Sequence, residues 1–401
     1  MIVELFSCAG GLAEGFRRAG LCPDLAIDFD PDACGSYAAN LGRAPVRLDV
    51  RELLRFVTEL HGWIDIDLLL ADPPCAPWSR AGARRGLSDS RDVLQETCAL
   101  IATFQPRAWL LGNIPGLDDG PNLPTVQKVI GALGCFAGGT APTRGYCIDF
   151  ATLDAADYGV PQHRTRPFWY GHRAGSPCIA WPARTHVEPS PTLAMPFAEL
   201  PHHVTCAEAL SHLEPPDLGM PVALAWRTRQ DRRRAAAAGV LVVDPAHPPS
   251  RADRPANVVR AGRGSGSRVC VEPWPWASRP ATSVTCDDVL APPGKTGGPG
   301  HPNGYGKRHA GAIKLSEKAA AILQGFPETW VFSGKTKRAR WEQIGQAVPP
   351  PLAHAIASAV AVQLGAGKKR KCPANEQGAV SPTGRCIACG AIHAPAKTAA
   401  P

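Results

Sequence analysis

Cys75 has the clearest reactive potential in this 401-residue chain. It stands in DPPCAPWS (residues 72–79), where two prolines stiffen the backbone just before the thiol. It closes an apolar run, IDIDLLLADPP, and opens a polar stretch, SRAGARRGLSDSR. A thiol held at the end of a buried strand, with a polar loop to cover it, is where a nucleophile belongs. A cysteine considered alone is more often a small buried hydrophobe. Acids recur in equivalent places: Asp28 ends LAID and Asp49 ends VRLD. Such acids suit ribose hydroxyls and an adenine amino group, so a nucleoside-type cofactor fits them; each is equally an ordinary turn or cap residue. In QHRTR, Arg164 and Arg166 fall on one side of an extended segment, and their planar forks suit carbonyl and phosphate oxygens.

These residues need elements to position them. MIVELFS reads as a strand running into the small-residue turn CAGG, and LAEGFRRAG as the helix that follows. Such a turn brings backbone N–H groups close to a ligand, although the G-x-G-x-x-G spacing is absent. LAIDFD is a second strand and PDACGSYAANL a second helix, started by Pro31. VRLDV is a third strand, IDIDLLLA a fourth and RAWLLGNI a fifth, with RDVLQETCALIATF helical between the last two. Strands alternating with helices predict an α/β fold with a doubly wound parallel sheet, which binds ligands at the carboxyl ends of its strands. From about Pro182 to Gly304 the periodicity fades into Pro-, His- and Arg-rich sequence. KLSEKAAAILQGF and PPPLAHAIASAVAVQL then restore helices, and a polar tail opens with GKKRK.

The formal net charge of +8 is concentrated: residues 223–268 hold ten arginines and three aspartates, with no Lys or Glu. Arginine laced with Gly and Ser suits phosphate backbones, and equally a solvated surface. There is no uninterrupted apolar run of about 18 residues, so no membrane span is expected. Fourteen cysteines scattered through a large chain without a basic leader point to reduced thiols and a cytoplasmic protein.

ELFSCAGG, DPPCAPWS, GVPQHRTR, RPATSVT and IGQAVPP occur in the order of the signature blocks of the cytosine-5 DNA methyltransferase family, across residues 1–182 and 275–364. The chain resembles that family. The resemblance implies a Rossmann-like S-adenosylmethionine methyltransferase sheet at 1–183, a smaller loop-rich target-recognition domain at 184–300 inserted before C-terminal helices at 301–365, and a basic tail at 366–401. It implies methylation of cytosine C5 in double-stranded DNA, on a base flipped out of the duplex, through a covalent bond from Cys75 to C6. Arg164 and Arg166 would hold the cytosine O2 and flanking phosphates. Gly112, Asn113 and Gln162 would line the base pocket. Phe6, Ser7, Gly10, Asp28, Phe29, Asp49, Val50, Pro73, Leu94, Gln346 and Val348 would surround S-adenosylmethionine. The family more often has Asn where Gln346 stands. A monomer of bacterial or phage origin, within a restriction-modification system, is the corresponding expectation.

One departure touches the chemistry. The family's Glu-Asn-Val is here Gly112-Asn113-Ile114. By resemblance that glutamate contacts cytosine N3 and the exocyclic amine, and a glycine offers N3 nothing. Another side chain (Asp72, Asp118 and Asp119 lie near in sequence) or a water can fill the role. Alternatively the enzyme modifies another base or transfers another group, binds DNA with weak catalysis, carries an engineered inactivation, or acts on RNA. In the tail, Cys372, Cys386, Cys389 and His393 have the spacing of a zinc knuckle, or are incidental to a basic tail.

Overall fold

Five short apolar segments become adjacent parallel strands. In the computed structural model, which describes residues 1–60, 65–74, 86–112, 122–136, 145–173, 178–188, 200–213, 217, 219–223, 241–242, 250–251, 270–272 and 313–365, these are β1 (Ile2–Leu5), β2 (Leu25–Asp28), β3 (Val46–Arg47), β4 (Leu68–Ala71) and β5 (Ala108–Gly112). They join β6 (Gly134–Phe136), β7 (Tyr146–Asp154) and β8 (Thr165–Arg173) in one sheet of order β3-β2-β1-β4-β5-β8-β7-β6. The five expected strands are mutually parallel, and beyond them β8 runs antiparallel to both β5 and β7. The link from β7 to β8 is a short turn beginning at Ala155, too short for the crossover that a parallel neighbour requires.

Every residue of β4 and β5 is buried, because helices cover both faces. Alternate residues feed separate cores. Leu69, Ala71, Trp109 and Leu111 meet α3 (Val50–Leu60), α4 (Leu94–Phe104) and α5 (Leu123–Gly131). Leu68, Leu70, Ala108, Leu110, Phe168 and Tyr170 meet α1 (Gly11–Arg18) and α9 (Pro350–Gln363). The parity matters for function: residues 72, 112, 166 and 164 continue this second face beyond the core.

Polar residues end the helices where backbone groups would otherwise lack partners. Asp30 accepts from the amides of Asp32 and Ala33 at the start of α2 (Pro31–Leu41), and Gly42 takes the left-handed conformation that closes it. Ser316 caps α7 (Glu317–Leu323) and Thr336 caps α8 (Lys337–Gln346). A short α6 (Cys206–Leu210) opens with a capping box and packs its Cys206 and Leu210 against α7 and α8. Between α6 and α7 lies a second sheet, of order β10-β9-β13-β12-β11, from β9 (Gly219–Ala223), β10 (Leu241–Val242), β11 (Ser250–Arg251), β12 (Cys270–Glu272) and β13 (Ile313–Leu315). It falls in the stretch whose periodicity is weakest. Among the described residues no helix is long and apolar enough to cross a membrane.

The α1–α9 crossing is very close. A Cβ on Gly15 would lie 2.3 Å from the Ala353 Cβ and 2.6 Å from the His354 backbone nitrogen. Backbone cannot yield as a flexible side chain does. Gly15→Ala is therefore expected to lower unfolding free energy by about 1–3 kcal/mol, the usual range for overpacking. The shift in denaturant midpoint measures it.

Candidate active site

The carboxyl ends of β1, β2, β4 and β5 collect the polar residues that the sequence singled out. After β1 the chain turns sharply: Phe6 and Cys8 hold positive φ (57° and 48°), and Gly10 holds +87°. The glycine is required in two ways, since a Cβ there would also come within 2.8 Å of Leu41. Gly11 admits the Val348 carbonyl, which a Cβ would meet at 2.4 Å. The turn therefore brings Val348 against the start of α1. The Ser7 hydroxyl is buried without a hydrogen-bond partner in the described structure.

Asp28 is buried at the end of β2 and accepts from the Cys8 amide (2.7 Å) and the Asp30 amide (2.9 Å). Burial raises its pKa against the pull of these amides. It fixes the β1 turn, and each oxygen keeps lone-pair capacity for a ligand. Phe29, the next residue, is 61% exposed, an unusual position for a phenyl ring in a folded core and a ready stacking face. Asp49 serves α3 by accepting from the Arg51 amide at 2.8 Å, and its outer oxygen meets the Arg51 guanidinium at 3.4 Å. Val50 starts α3 and is buried. Leu94 lies in the core at the start of α4, and Pro73 is buried beyond β4. The turn, an acid and an exposed aromatic ring make a cradle suited to a nucleoside.

Cys75, Asn113 and the four tail residues Cys372, Cys386, Cys389 and His393 lie outside the described residues, as do Asp118 and Asp119. Their neighbours are described. Ala71 pairs with Leu111, so Asp72 follows beside Gly112 in register. Gly112 pairs with Phe168 across β8. A Cβ on Gly112 would be 2.9 Å from the Phe168 ring and 3.4 Å from Asp72 Oδ1. Asp72 keeps part of its surface accessible. The protein around its carboxyl pushes the pKa up, and Arg166 and then Arg164 draw it back down.

Both arginines are buried and tied to the last turn of α8. Arg164 donates from Nη2 to the Gly345 carbonyl at 2.7 Å, and Arg166 from Nη2 to the Gln346 carbonyl at 2.9 Å. These carbonyls carry the negative end of the helix dipole, a natural seat for guanidinium groups. The Arg164 amide donates to Asp154 Oδ1 (2.7 Å), which also meets His163 through its other oxygen. Gln346 itself is exposed. Gln162 is fully buried next to this arginine pair. Its Nε2 donates to the Leu323 carbonyl (3.1 Å) and to Gln324 Oε1 (2.8 Å), so its amide ties the β7–β8 turn to α7.

Sequence reasoning left Asp72 unplaced and missed Phe168. The alternation of β4 and β8 carried the signal, because it puts residues 72, 112, 166 and 168 on one face. Elsewhere Asp149, His172 and Cys178 bring possible ligand atoms within 4.8 Å of one another. His172 is opposite Ala108, so this group lies beside the start of β5 rather than its end.

Comparison with known proteins agrees with this geometry. The family model described as C-5 cytosine-specific DNA methylase matches residues 1–220 and 250–361. The Type II methyltransferase M.AquIA of Picosynechococcus is 29% identical over 239 residues, 57% of this chain and 94% of its own length. M.AplI of Arthrospira platensis is 26% identical across 91% of this chain and 86% of its own. M.XorII of Xanthomonas oryzae is 35% identical, over 46% of this chain and 43% of its own length. Among solved structures, a putative DNA modification methyltransferase from an E. coli prophage superposes with a TM-score of 0.54 at 19% identity, covering 91% of this chain and 99% of that one. S. pombe Dnmt2 gives 0.54 at 15%, covering 92% and 99%. Both show the same fold.

Proposed function

The chain belongs to the C-5 cytosine-specific DNA methylase family, and we propose that it transfers a methyl group from S-adenosylmethionine to C5 of a cytosine flipped out of double-stranded DNA, through a covalent Cys75–C6 adduct. The observation that carries this is the convergence at one sheet edge of the Pro73-Pro74 approach to Cys75, the β5 end at Gly112 and the clamped Arg164–Arg166 pair.

The chain's own residues divide the work. The turn from Phe6 to Gly11, Asp28 and the exposed Phe29 ring would hold the nucleoside half of S-adenosylmethionine. When bound, that group supplies an electrophilic methyl. Cytosine C5 is a poor nucleophile until something adds at C6. A thiolate delivered from the stiff segment after β4 makes that addition, and only the thiolate form is competent. Arg164 and Arg166 would present their guanidinium forks to the cytosine O2 and neighbouring phosphates. Extracting the base from its stack costs a few kcal/mol, which such contacts offset. The second sheet, with the arginine-rich sequence around it, is assigned to recognition of the duplex.

The test is direct. Purified protein with labelled S-adenosylmethionine and mixed-sequence duplex DNA should yield 5-methylcytosine on nucleoside mass analysis. Label appearing in RNA but not DNA, or in another nucleoside, would overturn the assignment.

A further inference from the structure

Gly112 leaves the base without its usual carboxyl, and the neighbouring strand answers. We propose that Asp72 is the carboxyl that binds cytosine N3 and the exocyclic amine, donating its proton to N3 as the thiolate adds at C6. This rests on the methyltransferase reading above.

Three observations carry the assignment. The first is parity: Leu68 and Leu70 face α1 and α9, so Asp72 continues their face beyond the end of β4. Ala108 and Leu110 place Gly112 on the same face, and Phe168 does so for Arg166. The second is position. Asp72 Oδ1 lies 3.4 Å from where the first side-chain atom of residue 112 would be. The Asp72 carboxyl therefore borders the volume that a glutamate at 112 would enter, and the Phe168 ring bounds it on the other side at 2.9 Å. The third is charge. Arg166 and Arg164 act on Asp72, while Glu4 on β1 and the Cys8 thiol feel its charge from the other side. Glu4 is buried, bonded by the Tyr37 hydroxyl, and pushed up to about 8 by that burial. Among the described residues, Asp72 is thus an acid that continues this face and feels the charge of both guanidinium groups.

The chemistry balances on these groups. The thiolate sulfur bonds to C6. The C5–C6 π pair moves to C4–C5, and the C4–N3 pair moves to N3, which takes the Asp72 proton. The resulting carboxylate is held by the arginine charges. Once C5 has gained its methyl, the N3 proton returns to Asp72. A water molecule acting as base then takes the C5 proton; the C–H pair restores the C5–C6 double bond, and the C6–S pair leaves as the thiolate. A neutral carboxyl also matches cytosine's edge: its O–H meets the N3 acceptor and its carbonyl meets the N4 donor.

The experiment compares wild type, Asp72→Asn, Asp72→Ala and Asp72→Ala/Gly112→Glu. Methyl transfer is one readout. Release of tritium from C5-tritiated cytosine in DNA is another, since it reports thiolate addition without methyl transfer. Asp72→Asn is nearly isosteric and should fold. Its rates in both assays are expected to fall about 10²–10⁴-fold, the range for a lost general acid. The loss of rate that follows Asp72 ionisation as pH rises should vanish with it. The double variant should exceed Asp72→Ala by about tenfold or more, because a carboxyl has re-entered from β5. Asp72→Asn within about threefold of wild type, with an unchanged pH profile, overturns the Asp72 role and leaves the methyltransferase reading standing. A wild type that neither methylates nor releases tritium overturns that reading, and the Asp72 assignment falls with it.

Discussion

Cys75→Ala is expected to lose methyl transfer by about 10⁴–10⁶-fold, the scale seen when a covalent nucleophile is deleted. The size follows from the mechanism rather than from binding. Without an adduct at C6 the C5 carbon keeps the low nucleophilicity of an aromatic ring. Duplex binding should survive, because the proposed phosphate contacts come from arginines elsewhere. The measurement has two parts. Labelled methyl incorporation should fall to background, and a 5-fluorocytosine duplex that traps wild type as a covalent complex should leave the variant at its free mass. Cys75→Ser should resemble alanine, since a hydroxyl at neutral pH is a far weaker nucleophile than a thiolate. Activity of Cys75→Ser within about tenfold of wild type would refute the covalent route. With wild type, the rate should also decline as pH falls through the thiol titration, because the protonated form cannot add.

Much of this site is legible in the sequence because strand ends are. A continuous apolar run that stops at Asp72, or at Gly112, marks a buried strand reaching the sheet edge where ligands bind. Asp28 and Phe29 stand at such an edge, as expected from LAIDFD. Harder to read is which face a residue takes when flanking positions are all apolar. LLLAD and AWLLG are hydrophobic on both faces, so hydrophobicity alone does not assign Asp72 a partner. Pairing register does, by bringing it beside Gly112. Gln162 shows the opposite limit. Its place in a motif does not say which partners its buried amide must satisfy, and the structure supplies the Leu323 carbonyl and the Gln324 amide oxygen. Asp49 is similar, serving the first turn of α3 by its own chemistry. The second sheet was hidden because its strands are two to five residues long and lie far apart in sequence. So few residues give alternation no length over which to show.

Arg166→Met should cost about 10²–10³-fold in kcat, comparable to removing one preorganised charge-stabilising donor. Arg166 is the largest influence opposing the burial-driven rise of the Asp72 pKa, ahead of Arg164. Its Nη2 is committed to the Gln346 carbonyl, while its Nε is buried without a hydrogen-bond partner among the described residues. A buried guanidinium with spare donors beside a carboxyl is arranged to receive charge, and the charge arrives when Asp72 gives up its proton. Two consequences separate this role from a structural one. First, the sign of the pH effect is set. Removing Arg166 removes a cation that favours the carboxylate, so the Asp72 pKa rises and the high-pH limb of the rate profile moves to still higher pH. Arg166→Lys keeps the charge, so its limb should stay near that of wild type even as the lost fork lowers kcat. Second, the anchoring bond to α8 should register separately as stability. A charge-assisted hydrogen bond at a helix end contributes about 1.5–3 kcal/mol, so both variants should melt earlier than wild type. The limb should shift only in methionine. If Arg166→Met melts early but keeps the wild-type limb and a kcat within about threefold, Arg166 is a strut for α8 and not part of the charge relay around Asp72.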